Sequence, residues 1–366
     1  MPRIMGDPGY TDLRKEAMRL LLLFSMFALA MISVAQGVRY EVTDLTKQYG
    51  LTQGQAVIDI NNQGVMIGGG DGYAFTIKDG KYSVLERPKG AGQYYAIAVN
   101  SSGVILGSAS IGGLQRSVLW INGKAVVPDL SPAVGNQSRG PLNGLNNVGD
   151  FVGLDRPLTR PIHWSEKNGV TYLERPPGGI GGASQVNDQG VIVGTILANS
   201  VIGATRWVGG TYQNLHPSGF VESRGLGIAQ NGDIGGEVET TSAFHAGFWR
   251  GGTEFIDVGA LTPTDFTFFG DLNESEQMVG QATVKGRFAA YLWESGTLYN
   301  MQDLVDPKLI WEFDSAAAIN DAGQILAGGR RKGPQHANLL LNPVPEPNTF
   351  LLLALGGAWI LARRRR

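Results

Sequence analysis

The sequence predicts an all-β fold, a β-propeller most simply built from seven four-stranded blades. Three observations predict this fold: a short turn motif recurs seven times at spacings of 39 to 47 residues, an aromatic residue follows most copies at a nearly constant distance, and 53 of the 366 residues are glycine. Glycine at this level, without a three-residue period, is typical of many tight turns between short strands. Repeats of four strands with this period favour a propeller over a solenoid.

The recurring turn has the form Asn-x-x-Gly between two aliphatic runs, most clearly around Asn187 and Gly190. The asparagine is expected to cap its own turn, and the glycine to accept the positive φ that closes it. Six copies have glycine at the turn position: Gly64, Gly103, Gly149, Gly190, Gly232 and Gly323. Glu276 occupies this position in the sixth copy, which predicts a different or strained turn there.

Tryptophan is the second repeated feature, found 15 to 17 residues after the turn position in five copies: Trp120, Trp164, Trp207, Trp249 and Trp293. Phe75 and Leu340 are predicted to take its place in the first and last copies. A glycine turn and a further strand follow, so each unit has two hairpins. A lone unit of four short strands cannot bury both faces, so the units are expected to stack with the aromatic residue between them.

Ring closure is predicted at the seventh unit, which ends near residues 341–343 without a fourth strand. Residues 40–45 are similar to the fourth strand of another unit, residues 124–130. A strand from the N-terminus would therefore complete the last blade and remove its open edge. An open β array and a six-bladed ring with a degenerate first repeat are the alternatives.

Residues 1–35 predict a signal peptide. The apolar run of residues 20–34 follows three basic residues and has about the length of a signal-peptide core. Ser33 and Ala35 supply the small residues at positions −3 and −1, so cleavage is expected after Ala35. Translation from Met18 and an uncleaved anchor are alternatives that this segment leaves open.

Residues 343–366 form a second terminal segment with three parts. Val344, Pro345, Glu346 and Pro347 make a proline-rich joint, residues 350–362 are apolar, and four arginines follow: Arg363, Arg364, Arg365 and Arg366. Prolines keep such a joint extended, and terminal arginines stay on the cytoplasmic side of a membrane. A transmembrane helix of this apolar stretch would span only about 20 Å of a hydrocarbon core of about 30 Å. A plain C-terminal anchor is the alternative.

This three-part end resembles the PEP-CTERM sorting signal of Gram-negative bacteria. The resemblance implies recognition by an exosortase-type enzyme, removal of the tail, and delivery to the cell surface or extracellular matrix. Exosortase systems usually accompany exopolysaccharide production. The body, residues 36–342, is similar to HAF-type extracellular repeats, which implies an extracellular β-repeat protein without a defined ligand or cofactor.

Composition and motifs indicate no catalytic, metal or cofactor site. The body carries 22 basic and 28 acidic residues, which gives no electrostatic reason to expect nucleic-acid binding. The chain has no cysteine, which excludes disulfides and thiolate chemistry. No Gly-x-Ser-x-Gly elbow occurs. Metal-site spacing is absent from the four histidines: His163, His216, His245 and His336.

Other polar motifs suggest ligands only weakly. Asp188 and Asp321 lie in turns that faintly suggest calcium binding but lack the further ligands of a calcium repeat. Two near-duplicate loops, Glu86-Arg87-Pro88 and Glu174-Arg175-Pro176, lie after the fourth strands of two blades and are either relics of repeat ancestry or rim loops that face a ligand. Tyr94 and Tyr95 could stack on a sugar ring or belong to the core.

The sequence therefore predicts a non-catalytic, exported surface or matrix protein, with extracellular polysaccharide or another surface protein as candidate partners. The membrane contacts the C-terminal helix before processing. The alternative is a secreted propeller enzyme, a glycosidase or lyase, in which carboxylates gather near the propeller axis.

Overall fold

The structure is a computed structural model that describes residues 39–128, 130, 142–155, 159–263, 265–331 and 335–344. The predicted cleavage residues Ser33 and Ala35 lie outside these ranges. So do the proline-rich joint from Pro345 and the terminal arginines. Within the described ranges, no helix is long and apolar enough to cross a membrane.

Twenty-eight strands, β1 to β28, and one short helix make up the described fold. In chain order the strands are Tyr40–Asp44, Ala56–Ile60, Met66–Gly70, Tyr73–Lys78, Lys81–Val84, Ala91–Val99, Ile105–Ile111, Leu114–Ile121, Lys124–Val126, Leu142–Leu145, Phe151–Asp155, Arg160–Ser165, Gly169–Tyr172, Ile180–Val186, Ile192–Ala198, Val201–Val208, Thr211–Asn214, Glu222–Ile228, Ile234–Glu239, Phe244–Arg250, Glu254–Gly259, Thr267–Leu272, Gln277–Val284, Arg287–Glu294, Thr297–Asn300, Glu312–Ile319, Ile325–Arg330 and His336–Pro343. The helix α1 spans Leu45–Tyr49, and a 3-10 turn spans Met301–Leu304.

The strands form seven antiparallel four-stranded sheets, which confirms the predicted seven-bladed propeller. Blades 1 to 6 each use four consecutive strands, beginning with β2, β6, β10, β14, β18 and β22. The seventh sheet has the order β1-β28-β27-β26. The N-terminal strand therefore completes the last blade, and Val42 pairs with Leu341 at its centre.

The repeated turns have the predicted geometry. In blade 1 the Asn61 side chain accepts the backbone N–H groups of Gln63 and Val65, at 3.0 and 2.9 Å, and Gly64 has a φ of 72°. Glu276 takes the same left-handed conformation, with a φ of 53°, although it has a side chain. The Arg250 guanidinium of the preceding blade binds both oxygens of its carboxylate at 2.9 Å.

The core is divided into seven apolar clusters that lie between neighbouring blades. Glycine on the second strand admits the aromatic ring: a β-carbon at Gly107 would lie 2.4 Å from the Trp120 ring, and one at Gly68 would lie 2.3 Å from the Phe75 ring. The Phe75 ring thus fills the space of the tryptophan ring in blade 1, although by strand register Ile77, which pairs with Met66, holds the tryptophan position. In blade 7, Ile325 pairs with Leu341, so Leu341 rather than Leu340 holds the tryptophan position.

Candidate functional site

The propeller has two faces that differ in chemistry. The face carrying the turns between the first and second strands of each blade, such as residues 61–64, is here called the turn face. The opposite face carries the hairpins between the second and third strands and the connections between blades, and is here called the loop face. A cavity formed by described residues lies on each face.

A ring of asparagine side chains surrounds the axis at the turn face. Each of six turn asparagines donates its side-chain N–H to a backbone carbonyl in the next blade; the first of these bonds joins Asn61 to Asn100 at 2.8 Å. The further donors are Asn100, Asn146, Asn187, Asn273 and Asn320. Blade 5 has Ala229 at this position, and Asn231 reaches the Glu274 carbonyl instead, at 3.3 Å. These amides hold the blades together and are not free to bind a ligand.

The residues that follow these asparagines form a second ring around a polar cavity of about 150 Å³. Asp188 accepts the backbone N–H of Asn147 at 2.7 Å, and Asp321 accepts that of Glu274 at 3.0 Å. Asp188 and Asp321, whose turns resemble calcium-binding turns, therefore use their carboxylates in contacts between blades. Burial, with the negative charges of Asp321 and Asp188, raises the pKa of Glu274.

Two further carboxylates, Asp59 and Asp271, lie on the inner strands, each two residues before the turn asparagine of its blade. Each accepts the N–H of the residue that follows it and the N–H of a residue in the next blade, Val99 for Asp59 and Ile319 for Asp271. Burial raises the pKa of Asp59 to about 6. Burial and the charge of Asp59 raise the pKa of Asp271 to about 8. This pair can take up protons near neutral pH, but every oxygen already has a backbone donor.

The loop face contains a larger cavity, of about 320 Å³, between blades 6 and 7. The hairpin of blade 6 contributes Arg287 and Phe288, and the start of the inner strand of blade 7 contributes Glu312 and Asp314. Phe288 is 57% exposed. Among the described residues, Arg287 has no carboxylate within ion-pair distance. The cavity, here called the blade 6–7 cavity, is thus lined in part by an arginine without an ion-pair partner among the described residues and by an exposed phenylalanine.

Asp314 links three polar side chains at the wall of the blade 6–7 cavity. Its Oδ1 lies 3.0 Å from His336 Nε2, and its Oδ2 lies 3.4 Å from an Arg330 nitrogen. Gln281 of blade 6 donates to its backbone carbonyl at 3.0 Å. A β-carbon at Gly328 would lie 2.8 Å from the His336 ring, so glycine is needed there for the ring to approach. A carboxylate that holds a histidine ring is the arrangement of a general base.

The near-duplicate loops at Glu86 and Glu174 act as links between blades. The Trp120 indole donates to the Glu86 carbonyl at 2.7 Å, and the Trp207 indole donates to the Glu174 carbonyl at 2.6 Å. Each glutamate carboxylate then accepts a backbone N–H from the outer strand of the same following blade, that of Ala125 or Tyr212. Identical contacts at two places favour the reading of these loops as repeat structure rather than as a ligand rim.

The other predicted anchors also lie in the core. Trp120, Trp207, Trp249 and Trp293 are buried, and Trp164 is partly buried against Phe151. Tyr94 is buried, with its hydroxyl on the Leu85 carbonyl, whereas Tyr95 is exposed. Only Tyr95 of that pair is accessible to a ligand.

The histidines lie in separate blades and do not converge. His163 lies 3.5 Å from Asp150, His216 lies 2.8 Å from Ser223, and His245 lies 2.9 Å from Asp257. In the part of the chain that the structure describes, no three histidine or carboxylate side chains are placed to hold a metal ion.

Sequence reasoning noted Asp271 as one of many carboxylates but missed Asp59 and the residues that line the blade 6–7 cavity. Asp59 and Asp271 share a signal that could have revealed them, since each lies two residues before the turn asparagine of its copy. Arg287 and Phe288 come from a strand of blade 6 and Asp314 from a strand of blade 7, and no sequence spacing connects the two strands.

Comparisons with known proteins agree with both parts of this description. Residues 343–366 match the family described as the PEP-CTERM protein-sorting motif. A catalytically inactive virginiamycin B lyase from Staphylococcus aureus, determined with quinupristin, is similar with a TM-score of 0.55 and 14% identity, covering 83% of this chain and all of that one. The β-propeller domain of the Trilobed protease from Pyrococcus furiosus is similar with a TM-score of 0.51 and 8% identity, covering 79% of this chain and 97% of that one.

A comparison with curated protein sequences finds no match. At these identities the solved structures show the fold alone. The matched motif is a protein-sorting signal, and it implies an exported, membrane-anchored precursor that an exosortase processes. The chain is therefore a seven-bladed β-propeller that ends in a PEP-CTERM sorting motif.

Proposed function

We propose that the mature propeller is a non-catalytic surface or matrix protein that binds an acidic extracellular saccharide in the blade 6–7 cavity. The observation that carries this proposal is that the cavity is lined both by Arg287, which has no ion-pair partner in the described part of the chain, and by the exposed Phe288. A guanidinium binds the carboxylate of a uronic acid through paired hydrogen bonds. An aromatic ring offers an apolar surface to the face of a sugar.

The charge distribution favours attraction of an acidic saccharide to one site rather than to the whole surface of the propeller. The body carries more acidic than basic residues, so a polyanion is repelled by most of the surface. Arg330 already forms an ion pair with Asp314, which also binds His336, and Glu312 lies on the wall of the same cavity. Arg287 is therefore the positive group best placed to select a carboxylate, and Glu312 and Asp314 can accept hydrogen bonds from sugar hydroxyls.

A second candidate function is cleavage of the same saccharide, and the contact between Asp314 and His336 favours it. A histidine whose ring is oriented by a carboxylate can accept a proton from a substrate carbon or from water. The His336 side chain is about half exposed, and its partner Asp314 lies on the cavity wall. Asp314 is already bound to His336, so Glu312 is the acid on the cavity wall left to act as the partner of this base.

The test uses mature-length protein, residues 36–344, and the extracellular polysaccharide of the organism that produces the protein. Retention on immobilised polysaccharide and release of new reducing or unsaturated sugar ends are measured in the same samples. Retention without release is expected. Release of sugar ends that the His336→Gln variant abolishes would establish the enzyme instead, and absence of both signals would refute a saccharide ligand.

A further inference from the structure

We propose that the anchored precursor holds its turn face toward the membrane and its loop face, with the blade 6–7 cavity, away from the lipid. The inference rests on the anchoring role of the sorting motif and is independent of any saccharide ligand. Its basis is the position at which the folded chain ends and the short length of chain between that point and the apolar segment.

The folded chain leaves the propeller at the turn face. β28 ends at Pro343, and the N–H of Val344 still donates to the Arg39 carbonyl at 2.8 Å. A β-carbon at Gly323, in the turn of blade 7, would lie 3.2 Å from Pro343 and 3.8 Å from Gln277, beside the turn of blade 6. The exit point therefore lies among the turns that define this face.

The N-terminal end of the fold lies at the same place. Tyr40 pairs with Pro343, and Arg39 precedes the first strand. The Arg39 guanidinium binds the carboxylate of Glu294, at the end of the third strand of blade 6, at 2.5 Å. Both predicted processing sites, after Ala35 and within the proline-rich joint, are thus a few residues from one spot on the turn face.

The connection to the apolar segment is too short to reverse this orientation. Only residues 345–349 separate Val344 from Phe350. Fully extended, the chain between these two residues reaches about 21 Å. β28 has eight residues and crosses the propeller over about 23 Å.

To place the loop face against the bilayer, the tail would have to run back along the whole of blade 7. It would then still need to cross a head-group layer of about 5 to 7 Å before entering the hydrocarbon. The total of nearly 30 Å exceeds the reach of about 21 Å. The turn face, or at least the end of blade 7 at that face, must therefore remain near the lipid until the tail is removed.

This orientation separates the two faces by function. The turn face holds Arg39 and Val344, where the described fold begins and ends, and the hydrogen-bonded rings that close the propeller. The loop face holds the blade 6–7 cavity and Phe288, which remain accessible from outside the membrane. Binding at the loop face can then begin before the precursor is released.

The test uses the full chain in vesicles, because it contains no cysteine and a single introduced cysteine is a unique label site. Ser275→Cys places a fluorophore in an exposed turn on the turn face, and Ser242→Cys places it in an exposed hairpin on the loop face. Each labelled precursor is reconstituted with lipids that carry a nitroxide quencher on the head group.

The expected result is a loss of fluorescence at Ser275→Cys and little loss at Ser242→Cys, with no quenching at either site once the propeller is released by cleavage in the joint. Equal quenching in vesicle-bound protein would overturn the orientation. Precursor that does not fractionate with the vesicles would overturn the orientation by removing its anchor, and would leave the saccharide proposal to its own test.

Discussion

Asn320 in blade 7 donates its side-chain N–H to the backbone carbonyl of Asn61 in blade 1, at 3.1 Å, across a separation of 259 residues. The same residue accepts the backbone N–H of Gln324 within its own turn. One asparagine thus closes its turn and joins the last blade to the first. This contact, repeated around the axis, explains why the motif recurs with an asparagine rather than with any turn-forming residue.

Loss of one member of this ring should destabilise the whole propeller. Asn100 accepts the N–H of Val104 and donates to the Asn146 carbonyl, both at 2.8 Å, in a buried position. Asn100→Ala leaves these groups unpaired, so we expect a loss of about 2 to 3 kcal/mol in the free energy of unfolding. Ser102→Ala, in an exposed part of the same turn, is the control and should change stability by less than about 0.5 kcal/mol. Equal melting of the two variants would contradict the structural role of the ring.

The stability of the propeller should fall as pH rises from about 4 to 8. Burial raises the pKa of Asp59 to about 6 and, with the charge of Asp59, the pKa of Asp271 to about 8. Both values exceed the ordinary value near 4, so the folded chain retains protons that the unfolded chain releases, and folding weakens as these protons are lost. The loss is on the order of a few kcal/mol.

Thermal unfolding of Asp271→Asn measures this dependence. The amide is neutral at every pH, so the variant should show a shallower fall in melting temperature than the wild type. Asp79→Asn, in an exposed turn, is the control and should keep the wild-type slope. A wild-type melting temperature that rises steadily over this pH range would show that Asp59 and Asp271 do not dominate the pH dependence of stability.

Substitution of Glu276 by glycine and by alanine should have different effects on the free energy of unfolding. Glu276→Ala keeps a side chain at a positive φ and removes the contact with Arg250, so it should destabilise. Glu276→Gly also removes the contact but relieves the backbone, by about 1 to 2 kcal/mol. Chemical denaturation should therefore rank the glycine variant above the alanine variant; the reverse order would mean that the turn is unstrained.

The closing strand can be tested by cross-linking, because the chain has no other cysteine. Thr43 pairs with Leu340 across β1 and β28. The double variant Thr43→Cys, Leu340→Cys should form a disulfide on mild oxidation and raise the melting temperature, since the bond joins strands nearly 300 residues apart. The pair Glu41→Cys, Leu340→Cys is displaced by two residues and should cross-link poorly. Preferential cross-linking of the displaced pair would refute the register.

Much of the architecture could be predicted because it is repeated. The recurrence of asparagine, glycine and tryptophan reports one local unit, and the missing fourth strand of the last unit indicates how the ring closes. The blade count and the closing strand follow from these local signals. The HAF-type resemblance of the repeats remains a prediction.

The parts that could not be predicted depend on contacts between blades. Each inner strand has a register shift just before its last two paired residues, for example between Val57 and Asp59, and no residue type marks it. The blade 6–7 cavity joins Phe288 and Asp314, which no repeat relates. Leu341 rather than Leu340 fills the tryptophan position because its strand register, not its distance along the chain, decides which side chain points into the core.

Arg287 is the group proposed to select a carboxylated saccharide. The decisive measurement is the affinity of mature-length Arg287→Ala for the extracellular polysaccharide of the producing organism, compared with wild type and with Arg116→Ala, an exposed arginine on the corresponding hairpin strand of blade 2. Loss of a charge-assisted hydrogen bond predicts a reduction of about tenfold for Arg287→Ala and no change for Arg116→Ala. Equal affinity of the two folded variants would contradict the proposed site.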